Sequence, residues 1–359
     1  MVGSRTRSYT VLQAYSELQR LYDRGSWIQM SNHRRCQMNC PNRQMQSLEQ
    51  MRIRSSGQKI NFPYNPPMLS FLSQNHEIGH YSGYQTRVFA DYFWELADEK
   101  ELPKLAEIYQ WARSEQMPLL IIGWGTNLLF ATDRYEWVVV KNSLSGWEYD
   151  SETKILHASS NEPIWTIASS LEQDHDQHLW HRFIWLPGSI GWAIYGNAGC
   201  FGLETDSNFV SATVYDMLEW KPRNLSKQGM QFSYRHSVLK ENPHLFLIDS
   251  TFDLSQKIEK YHSGVDNIDF RENKQPKGNS CGSFFKNPSR ELSAGQLIEG
   301  VGLKGYRHGG AYWSHLHANF LMSDGELCPP SDLIELVRLT QERVKDEKGV
   351  GLVNEVRII

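Results

Sequence analysis

The chain has 359 residues, 40% hydrophobic and 22% charged, with a net charge of −4; this is the composition of a globular protein able to bury a large core. So small a net charge argues against a nucleic-acid binder, and no apolar run is long enough to span a bilayer. Five scattered cysteines (Cys36, Cys40, Cys200, Cys281, Cys328) are too few, and odd in number, for a disulfide-built secreted domain, so a reducing compartment is expected.

Charge is divided along the chain. Residues 1–67 hold ten Lys and Arg against three acids (Glu17, Asp23, Glu49), a net of +7, while the remainder holds 27 against 38, a net of −11. The first segment is rich in Arg, Gln, Asn and Ser and has no apolar h-region, so it is not a secretory signal. Residues 1–75 read first as a basic, disordered extension and second as an organellar transit peptide. A third reading starts translation at Met68. His33, Cys36 and Cys40 lack a second ligand pair, so no metal site is assigned.

A short strand is predicted from Tyr92 to Leu96. From Glu99 to Met117 the apolar residues Leu102, Leu105, Ile108, Trp111 and Ala112 recur at helical spacing, and Pro103 is tolerable in a first turn. The run 118–122 is a buried strand that enters Gly123-Trp124-Gly125-Thr126-Asn127-Leu128. A strand followed by such a turn offers backbone N–H groups to a phosphate, a weak signal when alone. Strands are predicted for Trp137 to Val140 and Ile155 to Ala158, and a helix for Ile164 to Leu171.

Residues 187–202 hold Pro187, Gly188, Ser189, Gly191, Asn197, Gly199 and Gly202. Five glycines are too many for an ordinary helix or strand interior, and Ile190, Ala193, Ile194 and Phe201 keep the stretch too apolar for a plain loop. It suits a backbone wrapped closely around a flat or phosphorylated ligand. Strands follow from Phe209 to Tyr215 and from Leu245 to Phe252. Between them Arg235, flanked by Tyr234, His236 and Ser237, is either an anion holder or a surface arginine. Residues 256–276 read as a polar linker.

Cys281-Gly282-Ser283-Phe284-Phe285-Lys286-Asn287-Pro288 joins two aromatics to a hydroxyl, a lysine and a turn signal. It reads either as a buried strand with an exposed Lys286 or as a site loop built around Ser283. His317-Ala318-Asn319-Phe320 comes later. Ser331 to Lys348 is a helix that Ser331 can cap and Gly349 ends. The chain closes on a predicted strand, Val353 to Ile359, with Glu355 inside it.

Together these motifs resemble the UDP-N-acetylenolpyruvoylglucosamine reductases over roughly residues 85–359. The ordered landmarks are a glycine-rich loop ending in Asn, a Pro-Gly…Asn-x-Gly-x-(Tyr/Phe)-Gly stretch, Tyr-Arg-x-Ser, Gly-Ser-Phe-Phe-Lys-Asn-Pro and a closing Glu-Val-Arg. The short connections around Ser283 are similar to the family's compact branch. The resemblance implies an α+β protein: a two-lobed FAD-binding domain of the PCMH or vanillyl-alcohol-oxidase type over 76–255, then a smaller substrate-binding domain over 277–359. It implies NADPH-dependent, FAD-mediated reduction of the enolpyruvyl ether of UDP-N-acetylglucosamine to UDP-N-acetylmuramate, in the cytoplasm, with tight non-covalent FAD and no metal. By the same resemblance Ser283 is the proton donor and Arg235 stabilises the developing charge with the help of Glu355. Gly123 to Leu128 and the 187–202 stretch hold FAD, while Tyr234, Lys286, Asn287 and His317 touch the substrate. From the residues alone a serine would not be chosen, because its intrinsic acidity is poor.

Three tryptophans depart from the family pattern. Trp124, Trp185 and Trp192 stand where the family usually has glycine or another small residue, and an indole beside a phosphate-cradling backbone should clash. The expectation is a gene that reads UGA as glycine. Two other readings compete with the reductase: a flavin-linked oxidoreductase of the same fold, and a relic that binds a UDP-sugar without FAD.

Overall fold

The computed structural model describes residues 69–255, 275–289 and 291–359, all within the compact unit Asn65–Ile359. The basic segment before residue 69, with His33, Cys36 and Cys40, and residues 256–274 of the expected linker lie outside the described residues.

The first lobe contains β1 (Ser73–Glu77), β2 (Phe89–Leu96), α1 (Leu102–Ser114), β3 (Leu119–Ile122), β4 (Leu128–Leu129) and β5 (Arg134–Asn142). Its sheet runs β1-β2-β5-β3, with β2, β5 and β3 parallel and β1 antiparallel at the edge. Parallel neighbours need a long crossover, and α1 supplies it between β2 and β3. Leu105, Ile108, Trp111 and Ala112 turn one face of α1 into the core beside Val138 and Val140. A 3-10 turn over Glu99–Glu101, capped by Asp98, takes up the start of the expected helix, so α1 is shorter at both ends. The extension expected through residue 75 ends sooner. Leu72 is buried in this core and β1 crosses the 75/76 boundary, because its pairing with β2 gives those polar residues a ladder to join.

The second lobe contains β6 (Trp147–Asp150), β7 (Ile155–Ser159), α2 (Ile164–His175), α3 (Ile190–Tyr195), β8 (Gly199–Cys200), β9 (Leu203–Glu204), β10 (Phe209–Asp216), β11 (Lys221–Ser226), α4 (Lys227–Met230) and β12 (Leu245–Asp253). The antiparallel sheet β11-β10-β12-β7-β6 packs against α2 and α3 through Ile164, Ile167, Leu171, Ile190 and Ile194. The presence of α3 corrects the expectation that residues 187–202 hold no helix. Ser189 Oγ accepts from Trp192 N at 3.2 Å to cap it, and Ile190, Ala193 and Ile194 bury one face. Gly191 N donates to Ser160 O at 2.6 Å, and a Cβ there would stand 2.8 Å from that oxygen, so this helix position needs glycine.

The C-terminal part contains β13 (Asn279–Ser283), α5 (Ala294–Gly300), β14 (Arg307–His308), β15 (Ala311–Trp313), β16 (Phe320–Ser323), α6 (Pro330–Lys348) and β17 (Arg357–Ile358). Its sheet runs β13-β16-β15-β14. Leu333, Leu336, Val337 and Val344 of α6 are buried with Phe284, Phe285 and Trp313, and Trp313 Nε1 donates to Thr340 Oγ1 at 2.8 Å. Ser331 does not cap α6. The cap residue is Pro329, whose fixed φ suits that entry without a side-chain bond, whereas Gly349 ends the helix at φ 68° as expected. The closing strand is also shorter than expected, reduced to β17. Residues 353–356 bond to 284–286, and the chain then changes partner to pair in parallel with β4, so one continuous ladder is impossible. Among the described residues no helix is long and apolar enough to cross a membrane.

Candidate active site

Three segments far apart in sequence meet at Glu355. Phe284 O accepts from Glu355 N at 2.7 Å and from Val356 N at 3.3 Å, and Lys286 N donates to Val353 O at 2.8 Å. On the other side Asn127 O accepts from Arg357 N at 3.1 Å, while Asn127 Nδ2 donates to Glu355 O at 3.2 Å. The end of the chain is thus pinned between the Ser283 segment and the glycine-rich turn. Asn319 holds the Ser283 segment from beneath. Its Oδ1 accepts from Phe285 N at 3.0 Å and its Nδ2 donates to Phe285 O at 2.8 Å.

Arg235 reaches the same place from the second lobe. Ser233 and His236 exchange backbone hydrogen bonds around a tight turn, and Arg235 occupies its second central position at φ 55°. Its guanidinium donates to Asn197 O and Gly199 O, both at 3.3 Å, and Arg235 Nε lies 3.7 Å from Glu355 Oε1. Asn197 and Gly199 were expected at the cofactor; here their carbonyls aim the arginine. Asn197 is buried, and its Nδ2 donates to Glu204 and to Ser233 O. Burial raises the Glu355 carboxyl above the usual glutamate range, while Arg235 and Lys286 pull it back down. The Ser283 hydroxyl, at the end of β13, makes no hydrogen bond among the described residues and is free for a ligand.

The other expected substrate contacts divide. Lys286 acts on Glu355 by its charge. Tyr234 is 72% exposed, with the Arg235 guanidinium 5.3 Å from its ring centroid. Asn287 braces its own loop, Oδ1 accepting from Ala294 N at 3.0 Å. His317 Nδ1 accepts from Asn319 N at 3.2 Å, and burial lowers the imidazole below its usual range, so it supports a turn as a neutral ring. Gly202 (φ 77°) closes the β8–β9 hairpin with Phe201 (φ 49°), a turn duty that explains the glycine by itself.

The two glycine-rich stretches do come together. A Cβ on Gly123 would stand 3.3 Å from Ser189 Oγ and 3.4 Å from Asn161 Oδ1. Gly125 is at φ 62°, and a Cβ there would lie 1.5 Å from Tyr81 O, so only glycine fits. The amides of Trp124, Gly125, Thr126 and Asn127 donate to nothing among the described residues. Asn161 Oδ1, beside them, is buried without a partner. Leu128 follows in β4 and its carbonyl accepts from Ser82 Oγ at 2.6 Å. Cys281 packs beneath this turn, its thiol 3.4 Å from Leu128 O, and burial pushes its pKa up to about 12, which excludes a reactive thiolate.

A free run of amides after a parallel strand fits a phosphate-bearing cofactor, and the orphaned Asn161 Oδ1 beside it can accept from a donor group of such a ligand, not from its phosphate oxygens. The indoles qualify that fit. Trp124 Nε1 donates to Asn161 O at 2.8 Å, leaving its ring half exposed. The Trp192 ring covers Gly188, where a Cβ would stand 2.7 Å from it. Trp185 stacks on Trp165, with ring centroids 5.5 Å apart. Pro187 is exposed just before Gly188.

Sequence reasoning missed Lys240, Asn319 and Asn161. Lys240 Nζ donates to Arg235 O at 2.6 Å. It stands only five residues after Arg235, but no spacing rule marks such a contact. Asn319 lies inside the run His317-Ala318-Asn319-Phe320, and only the folded sheet shows what it holds.

The family model described as UDP-N-acetylenolpyruvoylglucosamine reductase, C-terminal domain, matches residues 274–359. The chain is 35% identical over 271 residues to the UDP-N-acetylenolpyruvoylglucosamine reductase of Synechococcus sp. (strain WH7803), covering 73% of this chain and 86% of that one. It is 33% identical over 305 residues to the protein of the same name from Chloroflexus aurantiacus, covering 80% and 97%. Among solved structures, UDP-N-acetylenolpyruvylglucosamine reductase from Thermus caldophilus superposes with a TM-score of 0.62 at 24% identity, over 80% of this chain and 99% of that one. The expected α+β architecture is therefore the observed one.

Proposed function

The chain belongs to the UDP-N-acetylenolpyruvoylglucosamine reductase family, and from that premise we propose that it reduces UDP-N-acetylglucosamine enolpyruvate to UDP-N-acetylmuramate in peptidoglycan precursor synthesis, with NADPH as the electron source. The observation that carries this reading is the convergence of Arg235, Glu355 and the Ser283 segment, from three distant parts of the chain, on one another. The amides of residues 124–127 would hold the phosphates of FAD. Bound FAD would supply a hydride, taken from NADPH, to the terminal carbon of the enolpyruvyl double bond.

The chain's own residues then have two tasks. Negative charge gathers on the neighbouring carbon and its carboxylate. The Arg235 guanidinium, fixed at three points before the reaction, meets that charge without reorganising. Ser283 Oγ delivers a proton to the carbon, which completes the lactyl ether. Serine is a weak acid, so the step needs cations close by to hold the resulting alkoxide until it is reprotonated; Lys286, three residues on, is suited to this. Glu355, raised by burial, orients Arg235 and limits the net positive charge of the cluster. The protein acts in the cytoplasm, where its nucleotide substrates are.

The test is an absorbance experiment on purified protein without oxygen. A yellow protein that bleaches with NADPH and regains colour with the enolpyruvyl UDP-sugar supports the reductase. Recovery only on admitting oxygen would make it an oxidase of the same fold. Trp124 and Trp192 favour a specific alternative, the relic, and a colourless protein that cannot be loaded with FAD would establish it.

A further inference from the structure

Lys240 ends the 3-10 turn Val238–Lys240. Its ammonium donates to Arg235 O at 2.6 Å and lies 5.4 Å from the Tyr195 ring centroid. Tyr195 is itself tied to this segment, its carbonyl accepting from Ser237 Oγ at 2.9 Å. Arg235 is a non-glycine residue at φ 55°, a conformation that persists only where the surroundings enforce it. Desolvation and the charges of Lys286, Arg357 and Arg235 all weigh against the Lys240 ammonium and lower its pKa. A lysine kept among three cations is costly unless its position does something.

On the reductase reading above, we propose that Lys240 is a positioning residue for Arg235. Its ammonium clamps the Arg235 carbonyl and keeps the turn left-handed. The guanidinium is thereby held in line with Asn197 O, Gly199 O and Glu355. Without the clamp the turn relaxes and the guanidinium leaves the place where charge develops.

The experiment uses the FAD-loaded full chain and follows the two half-reactions separately by stopped flow. The variants are Lys240→Met, Lys240→Arg, Arg235→Met and the Lys240→Met/Arg235→Met double. Bleaching by NADPH is expected to stay within about twofold of wild type in Lys240→Met, while colour recovery with the enolpyruvyl UDP-sugar slows by about tenfold or more, the size of effect a small misplacement produces. Lys240→Arg restores most of that loss, and Lys240→Met adds nothing in the Arg235→Met background because the two act as a unit. The proposal is overturned if Lys240→Met recovers colour at the wild-type rate, or if its loss multiplies in full with that of Arg235→Met. Failure of the wild-type protein to recover colour would overturn the reductase reading instead, and the two outcomes are distinct. Lys240→Arg guards against a folding defect, since both variants must bind FAD with the wild-type spectrum.

Independently, we infer that Trp185 and Trp220 occupy positions built for glycine. Their φ angles are 62° and 57°, where a bulky side chain is a genuine outlier. Both indoles are exposed, at 50% and 44%, whereas Trp94, Trp111, Trp180 and Trp313 are buried in cores. Trp220 closes the β10–β11 hairpin, in which the Asp216 carboxylate accepts from Leu218 N and Glu219 N, and nothing in that turn uses an indole. Together with Trp124 and Trp192 in the glycine cradle, the pattern fits UGA read as glycine. The codons and the mass of peptides from the protein made in its own cells test this. UGA at both positions with peptides carrying glycine is expected; UGG at both, with tryptophan in the peptides, overturns it.

Discussion

The Arg235–Glu355 cluster and the glycine cradle adjoin through Asn127, yet they depend on opposite things. The cluster works through what its side chains carry: a guanidinium, a carboxylate with its proton affinity raised, and an uncommitted hydroxyl. The cradle works through what its residues lack. Gly125 has to leave room for Tyr81 O, and the amides of 124–127 must stay uncovered. A side-chain site therefore tolerates changes around it as long as its groups are aimed. A backbone site is endangered by any added bulk, so on the function proposed above Trp124 and Trp192 bear on the cradle, where one indole donates to Asn161 O and the other covers Gly188, and not on the groups of the Arg235 cluster.

Breaking each region should give different signatures. The largest effect is expected from Ser283→Ala. Loss of a positioned proton donor should lower kcat by about 10²–10⁴, with the flavin spectrum and NADPH bleaching unchanged; a kcat within a factor of about three of wild type would remove Ser283 from the chemistry. Gly125→Ala should act on the other region only. Its Cβ would meet Tyr81 O at 1.5 Å, so the turn must move, and FAD affinity should fall by well over about tenfold given a positive φ that favours glycine. Titration of apoprotein with FAD, read by flavin fluorescence, checks this, and unchanged affinity would show that the turn is not the cofactor cradle.

Asn319→Ala tests the support beneath the cluster. It deletes both bonds to Phe285 and leaves buried partners unpaired, a loss of about 1–3 kcal/mol by urea unfolding. A loss below about 0.5 kcal/mol would mean that the Ser283 segment is held by packing alone. The smallest effect concerns pH. Burial raises Glu355 in the folded state, so the folded chain keeps that proton to higher pH than the unfolded one. The associated stability is full below the ordinary glutamate value and is lost as pH rises through the raised one. Glu355→Gln should therefore show a shallower fall of its urea midpoint over that window. Parallel pH curves for the two proteins would contradict it.

Much of the architecture could be read from local pattern. The face of α1, the C-cap of α6 at Gly349 and the strands β3, β7, β10 and β12 follow from apolar spacing and turn residues, which act within a few positions of the chain. The short strands β14 and β15 could not, because two or three residues carry no period, and β17 was legible only as part of a longer closing strand. Nor could α3, whose glycine is required by the Ser160 carbonyl of a neighbouring loop and not by the helix itself.

For the site, the sequence by itself determined which groups are available: a hydroxyl between glycine and two phenylalanines, an arginine in a tyrosine-flanked turn, a late glutamate, and two glycine-rich turns. Only the tertiary structure decided their use. It bonded the Asn197 and Gly199 carbonyls to the arginine, tied Asn287 and His317 into their own loops, and brought in Lys240 and Asn319. The physical reason is range. Capping, turn formation and amphipathic spacing are settled between near neighbours, whereas a bond such as Arg235 to Glu355 exists only after three segments have packed and closed the distance to 3.7 Å.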